Sequence, residues 1–403
     1  MDPLAGTQGE HQKEEFKMAQ FRSQVLGAFN PSATFLAWEE PELYNKSFQI
    51  IRLLGIIDFG GSDFTEIWYV TSRIDPRDNE SWYQEWHRMA KLVEAQAREA
   101  ERHDNRFTAR CAFQRASNYE RAAQFYLTGS DERKVPTLRR QQDYFLEASK
   151  YFENPIDRVQ VPYDGTTLPG YFVRAEGRKV PAATILYMNG ADSLSEEAYF
   201  TVALPASKAG YSCLVYNAPG VGLTLYEKGL PARYDCEHYV KPVVDFLGAR
   251  DDVDASKIVL VGESLAGYFV PRSAAFEQRV AAAVSWGTFY DASGVRHRPA
   301  RPHWLSLFGA KTQEEFNEIS QKWDLKGVLQ KITCPFFVIT GSEDFAPNPA
   351  NEAIRYYNEV GSKVKAVKVI EPGEGLGGVT HCQKDNLHVL HAETFNWLNS
   401  IFS

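Results

Sequence analysis

The chain has 403 residues, 44% apolar and 24% charged, the proportions of an ordinary globular protein rather than of a disordered or fibrous one. Its formal net charge of -8 comes without basic clusters, which leaves nothing to hold a nucleic-acid backbone or an acidic membrane surface. This length suits one large core with a smaller second unit.

Met1 to Gln20 is polar and lacks the apolar stretch of a secretion leader, and residues 1–25 read as a flexible arm. No later run reaches the ~18 apolar residues of a membrane span. Cys111, Cys213, Cys236, Cys334 and Cys382 form no CxxC pair, the pattern of reduced thiols, so a cytoplasmic protein is expected. Residues 26–154 are expected to form an N-terminal region. Its stretch to about residue 65 shows no clear period, but from Glu66 to Lys150 the pattern is helical. Trp82, Trp86, Met89 and Val93, then Ala112, Ala116, Tyr119, Ala123 and Tyr126, recur every three or four residues.

Pro and Gly crowd the chain after Asn154-Pro155, which sets a boundary to a second domain over 155–403. Val159 to Tyr163 and Leu168 to Val173 flank Asp164-Gly165 as an antiparallel hairpin. Short apolar runs follow at Thr184 to Met188, Cys213 to Tyr216, Ile258 to Val261, Ala281 to Val284, Phe336 to Ile339 and Val364 to Ile370, several of them separated by helical stretches. The fold class is therefore α/β, a mostly parallel twisted sheet flanked by helices.

The segment Lys257-Ile258-Val259-Leu260-Val261-Gly262-Glu263-Ser264-Leu265-Ala266-Gly267 runs from buried strand through a small-residue turn into a helix. Such a turn holds its central residue in a strained conformation and projects it from the sheet edge, so Ser264 is the candidate nucleophile; an ordinary tight turn is the alternative. Ala266 stands where the G-x-S-x-G pattern has glycine. A lone serine is a poor nucleophile and needs a base and an orienting acid downstream. Asp344 follows the strand Phe336 to Ile339, with Glu343 as its competitor and a helix-capping role as its alternative. His381 ends the glycine-rich loop that begins at Gly373. His388 and His391 lie on a C-terminal amphipathic helix, where solvent exposure is expected; without an accompanying carboxylate or cysteine cluster they suggest no metal site. The backbone N–H groups of Leu265 and Ala191 are the candidate oxyanion donors. Asn189 and Gly190 share the Ala191 loop, and Trp286, Phe289 and Tyr290 are candidate pocket walls, with a plain core role as the alternative for each aromatic ring.

The elbow, the Asn189-Gly190-Ala191-Asp192-Ser193 loop, Asp344 and Gly378-Val379-Thr380-His381-Cys382-Gln383 together resemble the 2,6-dihydroxypseudooxynicotine hydrolase-like group, near the fermentation-respiration switch esterases and the fungal hydrolases that trim polyketides. Arg115 to Ala123 is similar to that group's lid helix, and the resemblance covers about residues 66 to 400. It implies an α/β-hydrolase core under a helical lid, no cofactor, and hydrolysis of a carbon–carbon bond beside a ketone in a small, apolar or aromatic secondary metabolite. An ester, lactone or thioester hydrolase or an acyl-transfer cyclase would use the same residues; a non-catalytic scaffold would have no need of them all. Pairing of two copies through the lid is left open.

Overall fold

Three of the N-terminal helices begin on a side chain that caps them. A computed structural model describes residues 43–178, 181–296, 302–346 and 348–402; the arm read at residues 1–25 lies outside these. Helices α1 (Tyr44–Leu54), α2 (Phe64–Thr71), α3 (Asn79–Arg102), α4 (Arg106–Ala123) and α5 (Lys134–Ser149) precede the sheet. Asp78 accepts from the N–H groups of Glu80 and Ser81, and Asn105 from that of Thr108, satisfying donors that a helix start leaves unpaired. The stripe Trp82, Trp86, Met89 and Val93 on α3 is buried, as are Ala112, Ala116, Tyr119 and Ala123 on α4.

The strands are β1 (Ile156–Tyr163), β2 (Thr166–Val173), β3 (Ala182–Met188), β4 (Ser212–Tyr216), β5 (Val253–Glu263), β6 (Val280–Trp286), β7 (Phe336–Gly341) and β8 (Lys365–Ile370). They form one sheet in the order β1-β2-β4-β3-β5-β6-β7-β8. The β1–β2 hairpin and the β2–β4 pair are antiparallel, and the rest is parallel. Asp164 and Gly165 turn the hairpin, both with positive φ. Around the strands lie α6 (Ser195–Ala198), α7 (Leu204–Lys208), α8 (Gly222–Tyr226), α9 (Glu237–Gly248), α10 (Ala266–Phe276), α11 (Ser293–Arg296), α12 (Pro302–Phe308), α13 (Gln313–Ser320), α14 (Pro349–Glu359) and α15 (Leu387–Phe402). A π turn over Tyr199–Ala203 joins α6 to α7.

Two apolar cores result, one on each sheet face. One unites β1 with α9, α10 and α14. The other runs without a break from Trp82, Trp86 and Phe145 of the helices to Tyr171, Ile185 and Tyr187 of the sheet and on to Leu390 and Leu398 of α15. Phe145 joins the two parts, its ring 4.8 Å from Tyr171 and 5.3 Å from Tyr199. Strand order reverses beside β3, whose chain neighbour β4 lies on one side and β5 on the other. Loops after the carboxyl ends of β3 and β5 therefore open a crevice, the position where open α/β sheets place ligands.

Candidate active site

Ser264 follows the last residue of β5 with φ of 59°, a left-handed conformation forced on a non-glycine residue. Its N–H donates to the Trp286 carbonyl at 3.0 Å, which fixes the turn against β6. Gly267 makes the turn fit: a Cβ there would lie 2.8 Å from the Thr288 carbonyl carbon and the Phe289 nitrogen. Ala266, one residue earlier, is fully buried with its methyl group against Gly262. The missing glycine of the sequence pattern is thus taken up by Gly262 and Gly267, between which Ala266 fits.

His381 Nε2 lies 2.8 Å from Ser264 Oγ, and its Nδ1 lies 2.8 Å from both Asp344 carboxylate oxygens. An ionised carboxylate only accepts, so Nδ1 carries hydrogen and, in the neutral ring, Nε2 is free to accept from the serine hydroxyl. Asp344 and His381 are buried, Ser264 partly so. Burial alone would lower the His381 pKa, but the Asp344 charge outweighs it and holds the imidazole well above its usual range. Asp344 also accepts from the Ala346 N–H at 2.9 Å. It does not cap α14, whose N-cap is Asn348, and Glu343 makes no bond to His381 among the described residues.

The loop that carries His381 is held by a residue the sequence reading passed over. Asp385 collects the N–H groups of Gly378, Val379 and Thr380 at 2.6, 3.2 and 3.0 Å and the Thr380 hydroxyl at 2.5 Å. Above the imidazole sit Phe345, ring centroid 4.1 Å away, and Phe48 of α1 at 5.7 Å. Helix α1 falls in the stretch for which the sequence showed no period.

The Asn189–Ser193 loop approaches the serine closely. A Cβ on Gly190 would lie 3.0 Å from Ser264 Cβ and from the Glu263 carbonyl oxygen, so a side chain there would crowd the turn that carries the serine. Asn189 folds back to donate to the Ser193 carbonyl at 3.3 Å. The N–H groups of Leu265 and Ala191 have no acceptor among the described residues. His303 of α12 lies 2.8 Å from the Ala191 carbonyl and 2.9 Å from Asp192 Oδ1, and its Nδ1 meets the Tyr226 hydroxyl at 2.9 Å.

Behind the loop runs a chain of buried charge. Arg52 of α1 pairs with both oxygens of Glu197, at 2.6 and 2.5 Å, and donates to the Asp192 carbonyl at 3.2 Å. Arg121 of α4 lies 3.3 Å from the same Glu197 and donates to Gln49 at 3.0 Å. Burial and the neighbouring Arg52 push the Arg121 guanidinium down to about 10. Surroundings that would raise the Asp192 carboxyl are outweighed by His303, Arg52 and Arg121, which hold it well below the usual range. Glu263, beside the nucleophile, contacts Lys384, near the base, at 2.5 Å. Burial would raise Glu263, but Lys384 and Arg52 bring it down to about 2.

Three sequence expectations are corrected. Trp286 is no pocket wall: its fully buried ring donates to Thr394 Oγ1 at 2.9 Å in the core under α15, and only its carbonyl serves the elbow. Tyr290 points to α14, where its hydroxyl donates to Glu359 at 2.7 Å and the Arg355 guanidinium covers its ring. Phe289 is half-buried against Trp304, the rings 6.3 Å apart and nearly parallel. His388 is exposed as expected, but His391 is buried and bonds the Thr201 carbonyl at 2.8 Å, because its side of α15 packs on the π turn. Burial lowers its pKa to about 4. No helix among the described residues is long and apolar enough to cross a membrane.

A parallel sheet with a strained serine after one strand, an acid after another and a histidine in the last loop defines the α/β-hydrolase class. The chain belongs to the FrsA-like esterase family, whose sequence model matches residues 66–292, more than half of its length. It is an enzyme, a hydrolase, and is similar to fungal hydrolases. The alpha/beta hydrolase psoB of Aspergillus fumigatus is 36% identical over 263 residues, 61% of this chain but only 58% of that relative. The 20-hydroxy-prefusarin hydrolase FUS2 of Gibberella moniliformis is 29% identical over 408 residues, 89% of this chain and 96% of that one. The crystal structure of 2,6-dihydroxy-pseudo-oxynicotine hydrolase shares the fold, with a TM-score of 0.72 over 86% of this chain and 95% of that chain at 22% identity.

Proposed function

We propose that Ser264, His381 and Asp344 form a catalytic triad that hydrolyses a carbon–carbon bond beside a ketone, in a polyketide or 1,3-diketone-like secondary metabolite. The observation that carries the triad is the unbroken series from Ser264 Oγ through the His381 ring to the Asp344 carboxylate, each contact 2.8 Å. His381 takes the serine proton as Oγ attacks the carbonyl carbon. The oxyanion is met by the N–H groups of Leu265 and Ala191. Collapse expels an enolate, which His381 protonates at carbon, and water then releases the acyl group from Ser264.

The carbon–carbon reading rests on the resemblance of the elbow, oxyanion loop and histidine loop to the group named above. The relative matched along 96% of its length is named a 20-hydroxy-prefusarin hydrolase, which supports a small secondary metabolite as substrate. Helices up to residue 154 serve as a lid on a catalytic domain over 155–403, and the five unpaired cysteines favour a cytoplasmic location. Cleavage of an ester, lactone or thioester by the same residues is the second reading, favoured by the family's description as esterases. A fluorophosphonate probe should label Ser264, and failure to do so sinks the triad. Turnover of a 1,3-diketone against a matched ester separates the two readings: ester-only cleavage rejects the first.

A further inference from the structure

Helix α1 brings two rings toward the triad. Tyr44 and Phe48 are one turn apart and share a face of the helix, and the Phe48 ring lies 5.7 Å from that of His381. A third ring comes from the sheet edge. Phe345 directly follows Asp344, and the bond from the Ala346 N–H to Asp344 Oδ1 at 2.9 Å folds the chain at Phe345 into a turn. Its ring centre is 4.1 Å from that of His381, 5.7 Å from that of Phe48 and 6.0 Å from that of Tyr44, the last two pairs edge to face.

The rings are not equally covered. Phe48 is 5% exposed and His381 8%, but Phe345 is 52% exposed. A phenyl ring that served only to brace the imidazole would gain most from full burial. Half of this one is instead left open to water, beside the histidine whose Nε2 lies 2.8 Å from Ser264 Oγ. When a tetrahedral intermediate on Ser264 collapses, Oγ keeps the acyl carbon and the electron pair of the broken bond stays with the leaving fragment. The proton taken from Oγ returns to that fragment through His381 Nε2, and the accepting atom is then about 3 Å from Nε2. The leaving fragment therefore lies next to the imidazole, within reach of the ring packed on it, whereas the acyl group is carried on Oγ.

We infer that Phe345, braced by Phe48 and Tyr44, is the surface against which the leaving fragment of the substrate packs, and that it selects fragments with a flat aromatic or conjugated face. This rests on the triad proposed above and not on whether the bond it breaks is carbon–carbon or ester. Such a face, packed offset or edge-on, covers the open half of the Phe345 ring and adds to the contacts it makes with Phe48 and Tyr44. A short aliphatic fragment has no such face and gains less. Phe345 sets specificity and takes no part in proton transfer.

The test is kcat/KM of the full chain and of its Phe345→Ala variant on three esters. Phenyl acetate has a ring on the leaving side, trifluoroethyl acetate has none, and trifluoroethyl phenylacetate has its ring on the acyl side. Each ester's own reactivity cancels in the ratio of variant to wild type. Phe345→Ala should lower kcat/KM for phenyl acetate about tenfold and for the other two less than about twofold, while Phe345→Tyr, which keeps the ring, should stay within about twofold of wild type on all three. Equal rates of Ser264 labelling by a fluorophosphonate show that the triad is intact in each variant. If Phe345→Ala is labelled more slowly, Phe345→Leu, which keeps bulk without the ring, takes its place with the same expectation. Equal losses on all three esters, a loss confined to trifluoroethyl phenylacetate, no loss, or no cleavage of phenyl acetate by a wild type that the fluorophosphonate labels overturns the inference. A wild type left unlabelled removes the triad and the inference with it, whereas failure to cleave a 1,3-diketone rejects the carbon–carbon reading alone.

Discussion

The sheet edge and the helices above it meet at one site but fix their groups by different means. At the edge, position comes from backbone: each candidate group hangs just beyond a strand or in a short clamped loop, and strain at Ser264 is held by the Trp286 carbonyl. On the helical side, position comes from buried charge, with Arg52 and Arg121 sharing Glu197 across elements that are far apart in sequence. The first arrangement tolerates little movement, as the bond-making proposed for it requires. The second holds the helices to the oxyanion-side loop by buried charge, and a partner lost from it leaves an uncompensated charge.

Substitutions should separate the two. Ser264→Ala should lower turnover by on the order of 10⁴-fold or more and abolish fluorophosphonate labelling while leaving the melting temperature nearly unchanged. Retained turnover would move the chemistry away from the sheet edge. Asp344→Asn should cost roughly 10³- to 10⁴-fold in kcat. Its pH profile adds a check: His381 acts as a base only when neutral, and Asp344 raises its pKa, so kcat/KM of the wild type should climb with pH to a plateau reached above the ordinary histidine range. In Asp344→Asn that limb should shift to lower pH, and an unshifted limb would assign the titration to another group.

Arg52→Met belongs to the other region and should act chiefly on stability, by ~3–5 kcal/mol, because Glu197 stays buried with only the more distant Arg121. Denaturant midpoints measure this, and a loss of activity without a loss of stability would contradict the division drawn here. Ala266→Gly should be the mildest, at most ~1 kcal/mol of helix stability, with kcat unchanged. A larger drop in kcat would show that the Ala266 methyl group does more than fill the space beside Gly262.

The legible part of the site was the part written in short contiguous patterns. A buried strand running into Gly262-Glu263-Ser264-Leu265-Ala266-Gly267 constrains its own geometry, and the two partners follow strands in chain order. The sheet was likewise readable from short apolar runs, and the helices from Glu66 to Lys150 from a period of three to four. Phe48 and Arg52 were not, because eight of the eleven residues of α1 are buried and polar Lys46, Gln49 and Arg52 interrupt any apolar stripe. Trp286 and His391 misled for a related reason. An aromatic residue at a strand end or a histidine on a helix does not say which face is covered until the π turn and α15 are in place. Asp385 carried a weak signal, a lone acid just beyond a glycine-rich loop whose N–H groups need acceptors.

The unbroken apolar core that joins α3, α4 and α5 to the sheet limits how a substrate can enter. Swinging these helices away as a rigid flap would separate Phe145 from Tyr171 and Tyr199 and expose these buried rings to water, at a cost in hydrophobic stabilisation. Entry must therefore be a local event at the rim, where the Phe345 ring is half exposed beside His381, while the helices and sheet melt together in a single transition.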